Sequence, residues 1–170
     1  MCSYSCTLNA TPAARSWSIA GVTPHSVPGV RISADPSTSP HDYPFVHQVR
    51  VRFAETDAMG IVHHSRYLPM MEEARVRYLD HVGHPYQSLR ADGDMAVLEV
   101  SLRYRLPLRF DEQVDIHLRL ADVTRTTFQM QYLISVAGEV RATGVTAHGC
   151  LTPDGKPTRL PQWLRDLADG

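Results

Sequence analysis

Asp57, Gly60 and His64 follow one another at a spacing that suits chemistry on a carbonyl group. Asp57 lies in the loop Thr56-Asp57-Ala58-Met59-Gly60, where Asp and Gly favour a turn, and a helical pattern resumes at Ser65. The first N–H groups of a helix have no partners within it and carry partial positive charge, so they stabilise a developing oxyanion. A carboxylate upstream of them can act on the other side of the same carbonyl. An Asp before a helix also serves simply as a turn or cap residue, and the spacing alone leaves both interpretations open.

Two elements must position these groups. Before the loop, Val49, Val51 and Phe53 alternate with polar residues at period two, which predicts a strand that runs through Phe53. After the loop, apolar residues recur at steps of three and four, which predicts a helix with one apolar face that ends at Gly83. The predicted apolar face consists of Tyr67, Met71, Ala74, Tyr78 and Val82.

The run VRFAETDAMGIVHHSRYLPMMEEARVRYLDHVG resembles the opening of the hotdog-fold thioesterases of the 4-hydroxybenzoyl-CoA thioesterase and acyl-CoA thioesterase family. The family pattern D-x-x-G-[IV]-V-x-H-x-x-Y-[LF] is matched from Asp57 to Leu68, and Glu73-Ala74-Arg75 and Gly83 match its continuation. Later segments, from YRLPLRFDEQVDIHLRL to WLRDL, extend the similarity over residues 44–166.

The pattern after the central helix favours an α+β fold. A turn with a short helical piece is predicted over residues 84–90, and four stretches then alternate at period two: 95–106, 114–120, 126–136 and 140–151. With the first strand they make a five-stranded antiparallel sheet wrapped around one central helix, which is the hotdog fold that the resemblance implies. The outward side chains Arg103, Arg105, Gln129 and Gln131 suit either a solvated sheet or an assembly surface.

We expect two regions in the chain. Residues 1–43 are rich in Pro, Ser and Thr and have no sustained period, which predicts a disordered N-terminal extension. Residues 44–170 form the predicted hotdog thioesterase domain.

The resemblance implies hydrolysis of acyl-CoA thioesters to the free acid and coenzyme A. Asp57 is then the nucleophile or the general base, and a helix N-terminal amide near His64 is the oxyanion donor. The residues implied to bind substrate are Gly60, Ile61, Val62, His63, Ser65, Tyr67 and, for the phosphates of coenzyme A, Arg125, with Arg103 and Arg105 as weaker candidates. Coenzyme A is part of the substrate, so no separate cofactor is expected, and no metal site.

Two residues bear on this assignment. Glu73 is a rival acid, because a second hotdog subgroup carries its carboxylate on the central helix; otherwise it is expected to pair with Arg77. Pro69 falls in the first turns of the helix, where relatives usually have an aliphatic residue; a distortion of the first turn by this proline would shift the oxyanion donor by one residue.

The composition indicates a soluble globular protein. The chain has 170 residues, a net charge of −1 and three cysteines, Cys2, Cys6 and Cys150. Neither a nucleic-acid partner nor a membrane span is expected, and the odd cysteine count suits a reducing cytoplasm. The resemblance implies a homodimer or homotetramer. Two alternative functions stay open: a hotdog protein that binds acyl-CoA without hydrolysing it, and a hotdog hydratase or dehydratase. The acyl chain, and a choice between coenzyme A and acyl-carrier protein, are not predicted.

Overall fold

The structure, a computed structural model, describes residues 32–86, 94–152 and 154–169. Residues 1–31, the larger part of the predicted extension, and residues 87–90 of the predicted helical piece lie outside these ranges. The five strands are β1 (Phe45–Arg50), β2 (Asp94–Tyr104), β3 (Gln113–Ala121), β4 (Thr127–Val136) and β5 (Glu139–Leu151). The two α-helices are α1 (Tyr67–His81) and α2 (Gln162–Asp169), and short 3-10 turns form at Pro40–Asp42, Phe53–Glu55 and His64–Arg66.

All the strands join one antiparallel sheet in the order β1-β3-β4-β5-β2. The predicted α+β hotdog arrangement is confirmed. Helix α1 packs on the inner face of the sheet, where Tyr78 meets Phe45 with ring centroids 5.6 Å apart, and Met71 approaches Gly144 of β5. The core under the helix is apolar, as the two periodicities require.

The ends of α1 follow from local chemistry. Gly83 adopts φ +82°, a left-handed conformation that glycine takes without steric cost, and its N–H bonds the carbonyl of Asp80. The predicted end of the helix is therefore confirmed. Of the predicted apolar face, Tyr67, Met71, Ala74 and Tyr78 are buried.

Two strand predictions differ from the structure. β1 ends at Arg50, and Phe53 lies in a 3-10 turn with 76 % of its surface exposed. A bulge between Val97 and Glu99 shifts the register of β2, so Val97 pairs with His148 and the strict alternation predicted from Ala96 is interrupted. None of the described helices is long and apolar enough to span a membrane.

Residues 32–43 also differ from the predicted disorder. They lie against the outer face of the sheet, the face that α1 does not contact, and Tyr43 is buried there. Burial raises the pKa of Tyr43 to about 12, so its hydroxyl stays neutral. The segment is ordered because its backbone and side chains find hydrogen-bond partners on that face.

Candidate active site

The loop after β1 is a tight turn that presents Asp57. Thr56 and Val62 pair as an isolated antiparallel bridge, and the N–H of Asp57 bonds the carbonyl of Ile61 at 2.9 Å. Gly60 closes the turn on the carbonyl of Asp57 and adopts φ +71°, which a residue with a side chain rarely accepts. Gly60 is therefore needed for the shape of the turn.

One carboxylate oxygen of Asp57 is fixed by its own loop. Oδ1 accepts a hydrogen bond from the backbone N–H of Met59 at 2.8 Å, the geometry of an Asx turn. No described hydrogen bond or ion pair uses Oδ2. The turn thus orients the carboxylate and leaves one oxygen available for chemistry.

The central α-helix begins at Tyr67, two residues after Ser65, where the sequence pattern resumes. A 3-10 turn at His64–Arg66 precedes α1, and His63 caps it: its ring Nδ1 lies 3.4 Å from the Ser65 amide and 2.8 Å from the Ser65 hydroxyl. The Arg66 amide donates to the carbonyl of His63 at 2.8 Å. These amides are already engaged, whereas none of the described hydrogen bonds uses the N–H of His64.

Pro69 is compatible with this start. It is the third residue of α1, where a backbone N–H would have no partner within the helix, and α1 continues unbroken to His81. The N–H of His64 precedes α1 and takes part in none of the described hydrogen bonds, and its role as the oxyanion donor stays a prediction.

Asp57 and His64 line one open cavity of about 360 Å³. Tyr104 of β2 forms part of its wall, donates its hydroxyl to the carbonyl of His64 at 3.1 Å, and meets the ring of Tyr67 edge-on at 5.0 Å. Burial raises the pKa of both tyrosines, which keeps them neutral hydrogen-bond donors. The residues that line the cavity are Asp57, Met59, Ile61, Val62, His64, Tyr67, Tyr104, Arg105, Leu106 and Pro107.

Four of the predicted site residues do not line this cavity. Gly60 shapes the turn, and His63 and Ser65 form the cap. Arg125 lies in the loop between β3 and β4, at the end of the sheet where Thr127 pairs with Gly149; the Asp57 cavity lies at the other end, beside Tyr104. Within one chain the structure does not bring Arg125 to Asp57. Arg105, the weaker candidate, is the basic residue at the cavity.

Glu73, the rival acid, lies on a different surface. Its carboxylate pairs with His47 of β1 at 3.0 Å instead of with Arg77, which pairs with Asp80 at 3.4 Å. Glu73 lines a separate polar groove beside Arg52 and Pro69. The structure therefore gives Glu73 a partner and keeps it out of the Asp57 cavity.

Four residues that line the cavity were not predicted as site residues from the sequence: Met59, Tyr104, Leu106 and Pro107. Met59 lies in the same loop as Asp57, but it carries no ionisable group and was therefore not predicted to belong to the site. Tyr104 reaches the site from a strand forty residues away in the chain, and only the closing of the sheet brings its hydroxyl to His64. Tyr104 alternates with Leu102 in the sequence, which predicts a strand residue. This pattern does not predict a contact with His64.

The chain matches the thioesterase-like superfamily model over residues 51–167. It belongs to this superfamily. The family that the motif indicated, and the thioesterase class of enzyme, are thereby confirmed.

Similar proteins agree with this membership. A 1,4-dihydroxy-2-naphthoyl-CoA hydrolase from Synechococcus elongatus is 29 % identical over 136 residues, which cover 75 % of this chain and 98 % of that protein. The crystal structure of a hypothetical protein from Aquifex aeolicus superposes with a TM-score of 0.70 at 35 % identity, and covers 73 % of this chain and 98 % of that one. A 1,4-dihydroxy-2-naphthoyl-CoA thioesterase from Synechocystis superposes with a TM-score of 0.67 at 25 % identity, and covers 72 % and 93 %.

Proposed function

We propose that this thioesterase hydrolyses acyl-CoA thioesters to the free acid and coenzyme A. The observation that carries the proposal is that Asp57 and His64 line one cavity, while one Asp57 carboxylate oxygen and the His64 N–H take part in none of the described hydrogen bonds. The similar proteins that are named as hydrolases of an acyl-CoA support this class of substrate.

The chemistry follows from these two groups. The thioester carbonyl oxygen accepts a hydrogen bond from the His64 amide, which stabilises the oxyanion that forms during attack by about 3 kcal/mol. Asp57 Oδ2 either attacks the carbonyl carbon, which gives a mixed anhydride that water then cleaves, or removes a proton from an attacking water. In both routes the carbon–sulfur bond breaks, the thiolate of coenzyme A leaves and takes up a proton, and the acid is released.

Tyr104 positions the His64 amide without contacting the reacting atoms. Its hydroxyl holds the His64 carbonyl, and so fixes the 3-10 turn whose first amide is the donor. Ile61, Val62 and Leu106 give the cavity an apolar wall that suits an acyl group, and Arg105 supplies positive charge for the phosphates of coenzyme A.

Assembly and location are further parts of the proposal. β2 lies at an edge of the sheet and exposes apolar side chains, among them Val100 and Tyr104, of which Tyr104 lines the cavity. This exposed edge supports a homodimer in which the β2 strands of two copies pair and the cavity lies at the interface. A cytoplasmic location rests on the cysteine usage, with Cys150 as a buried free thiol.

The test is release of free thiol from a set of acyl-CoAs with aromatic, short aliphatic and long aliphatic acyl groups. Hydrolysis predicts thiol release well above the rate in buffer for at least one of them. Binding of the whole set without thiol release would favour an acyl-CoA-binding protein. Addition of water to an enoyl-CoA whose thioester stays intact would favour the hydratase, and either result would overturn the proposal.

A further inference from the structure

The outer face of the sheet is buried although neither of the described α-helices covers it. Side chains in the middle of β4 and β5 project away from α1 and yet have almost no accessible surface. They are Gln129 (5 % exposed), Gln131 (4 %), Leu133 (0 %), Thr143 (2 %), Val145 (2 %) and Ala147 (0 %). The interpretation of Gln129 and Gln131 as residues of a solvated sheet is therefore wrong, and another part of the chain must exclude water from them.

Residues 32–43, which we call the strap, lie across part of this face. At one end, Tyr43 packs beside β3, with its ring 6.2 Å from the ring of His117 and under the guanidinium of Arg119 at 5.4 Å. Arg119 also donates to the carbonyl of Asp42 at 3.4 Å. The Tyr43 hydroxyl donates to the carbonyl of Ser37 at 2.8 Å, so the chain turns back on itself at this anchor.

From the anchor the strap crosses the sheet. Gln129 of β4 donates to the Ser33 hydroxyl at 3.1 Å, and its side-chain oxygen accepts from the Ala34 amide at 3.4 Å. Further along, Asp35 pairs with Arg103 of β2 at 3.0 Å, and the Ile32 amide donates to Glu99 at 3.2 Å. A small cavity of about 270 Å³ remains between the strap and the strands β5 and β2.

The contacts are unequal in strength. The pair Asp35–Arg103 is exposed at both partners and contributes little, because water screens it. Tyr43 is 7 % exposed and makes a hydrogen bond and two ring contacts, so it is the principal anchor. The hydroxyl of Ser33 is shared between Gln129 and Asp122, and joins the strap to two parts of the sheet.

The strap lies outside the part of the chain that the superfamily accounts for, which begins at residue 51. Leu133, Val145 and Ala147 give the middle of this face an apolar centre, and the strap lies beside it at Val145. Such a face is self-complementary in a second copy, and two sheets pack face to face at about 10 Å once nothing lies between them.

We infer that the strap is an intramolecular cover for the outer sheet face and prevents a second copy of the chain from packing there. The described contacts of the strap with β2 use the side chains of Glu99 and Arg103 and not the backbone of that strand, so pairing through the edge of β2 is still compatible with the strap. With the strap in place, two copies of the chain cannot pack through the outer sheet face. This argues against a tetramer in which two dimers meet through that face, although the resemblance allowed a tetramer.

The test uses the full chain with the substitutions Ser33→Ala, Asp35→Ala and Tyr43→Ala. A second variant, Ser33→Ala with Tyr43→Phe, removes the hydroxyls that bond Gln129, Asp122 and Ser37 but keeps the buried ring, so it tests the inference if the triple variant does not fold. The matched control is Thr38→Ala with His41→Ala, two exposed residues of the same segment that take part in none of the described hydrogen bonds. Hydrogen–deuterium exchange of residues 32–43 reports whether the strap is released, and light scattering reports the mass of the assembly.

Release of the strap should raise exchange in residues 32–43 at least about tenfold and increase the mass about twofold at micromolar concentration. The control should keep the exchange and mass of the unmodified chain. Thiol release should persist in the folded variants, since the strap does not line the Asp57 cavity. Release without an increase in mass would overturn the inference, and so would unchanged exchange in every folded variant.

Discussion

At the scale of single residues, the site depends on which groups are still free. One carboxylate oxygen of Asp57 accepts a hydrogen bond within its own turn, and the amides of Ser65 and Arg66 donate hydrogen bonds to His63. This leaves one carboxylate oxygen and the His64 N–H to act on a substrate. In the proposed mechanism the oxyanion therefore binds a backbone N–H, that of His64, and an ordinary side-chain substitution does not remove this group.

The substitution His64→Pro removes that N–H and tests the assignment. His64 is the first residue of a 3-10 turn, where proline fits, and His63 has φ −60° and ψ 135°, the extended conformation that a residue before proline prefers. We expect kcat for thioester hydrolysis to fall about 10²–10³-fold relative to His64→Ala, which keeps the N–H. The measurement is steady-state thiol release by both folded variants. Equal kcat in the two would assign the oxyanion to another donor.

The sequence predicted that Asp57 and His64, the residues of the proposed reaction, lie together, but it did not predict most of their surroundings. Asp57 and His64 are close in the chain, so motif and turn chemistry alone placed them together. Tyr104 and Arg105 come from β2, and their arrival at the cavity depends on the closing of the sheet. His63 and Ser65 were predicted to bind substrate, yet their side chains bond each other in the cap, a contact that adjacent positions in a motif do not reveal.

At the scale of elements, periodicity predicted the type of each described strand and of the central helix, and it failed at boundaries. Val51 and Phe53 continue the alternation of β1, but the carboxylate of Glu55 binds the Arg52 amide at 2.8 Å and turns the chain out of the sheet. The bulge in β2 also has no signal in the alternation. Both features depend on contacts that override local propensity.

Gly144 shows how closely α1 and β5 are packed. A Cβ atom there would lie 2.9 Å from Leu102 Cδ2, 3.0 Å from Met71 Cε and 3.3 Å from the backbone oxygen of Ser101. We expect Gly144→Ala to lower the free energy of unfolding by about 1–3 kcal/mol, because the buried Met71 side chain must shift and the Ser101 carbonyl leaves little room on the other side. Urea unfolding measures the change.

The matched control is Gly149→Ala on the same strand. Its new Cβ would approach only the side chain of Leu98, which is 36 % exposed and free to move. The reduced flexibility of the unfolded chain then offsets any crowding, so its stability should stay near that of the unmodified protein. An equal loss in both variants would contradict the close packing of Met71 on β5.

At the scale of the whole molecule, the core contains a titratable group that the proposed chemistry does not use. His148 of β5 is fully buried, stacks on Phe128 at 4.8 Å and lies 2.7 Å from the Thr146 hydroxyl, while its Nδ1 has no partner in the described part of the chain. Burial, assisted by the positive charge of Arg75, lowers the pKa of His148 from 6.5 to about 3.

This shift predicts how stability depends on pH. Below pH 6.5 the unfolded chain binds a proton at His148 and the folded chain does not, so stability is fully present above pH 6.5 and is lost as pH falls toward 3. The loss approaches about 1.4 kcal/mol per pH unit. Urea unfolding at pH 7 and pH 5 measures it, and His148→Gln should reduce the slope. An unchanged slope in that variant would assign the effect to other groups.

The strap marks the limit of what sequence patterns predicted about the whole molecule. Its Pro, Ser and Thr content is typical of disorder, and the order of residues 32–43 comes from partners on four different strands that composition does not reveal. The compact domain and its sheet, in contrast, follow from a core whose apolar residues repeat at the right periods. Local rules predicted the domain, and long-range contacts decided what covers it.

The most direct test of the central claim is kcat for thiol release by Asp57→Asn. The amide retains a side-chain oxygen that can accept from the Met59 N–H, so the turn should keep its shape and the variant should still bind acyl-CoA. It can neither attack the carbonyl nor take a proton from water, and we expect kcat to fall by about 10²–10⁴-fold. A folded Asp57→Asn variant with the kcat of the unmodified enzyme would remove this carboxylate from the reaction and contradict the account.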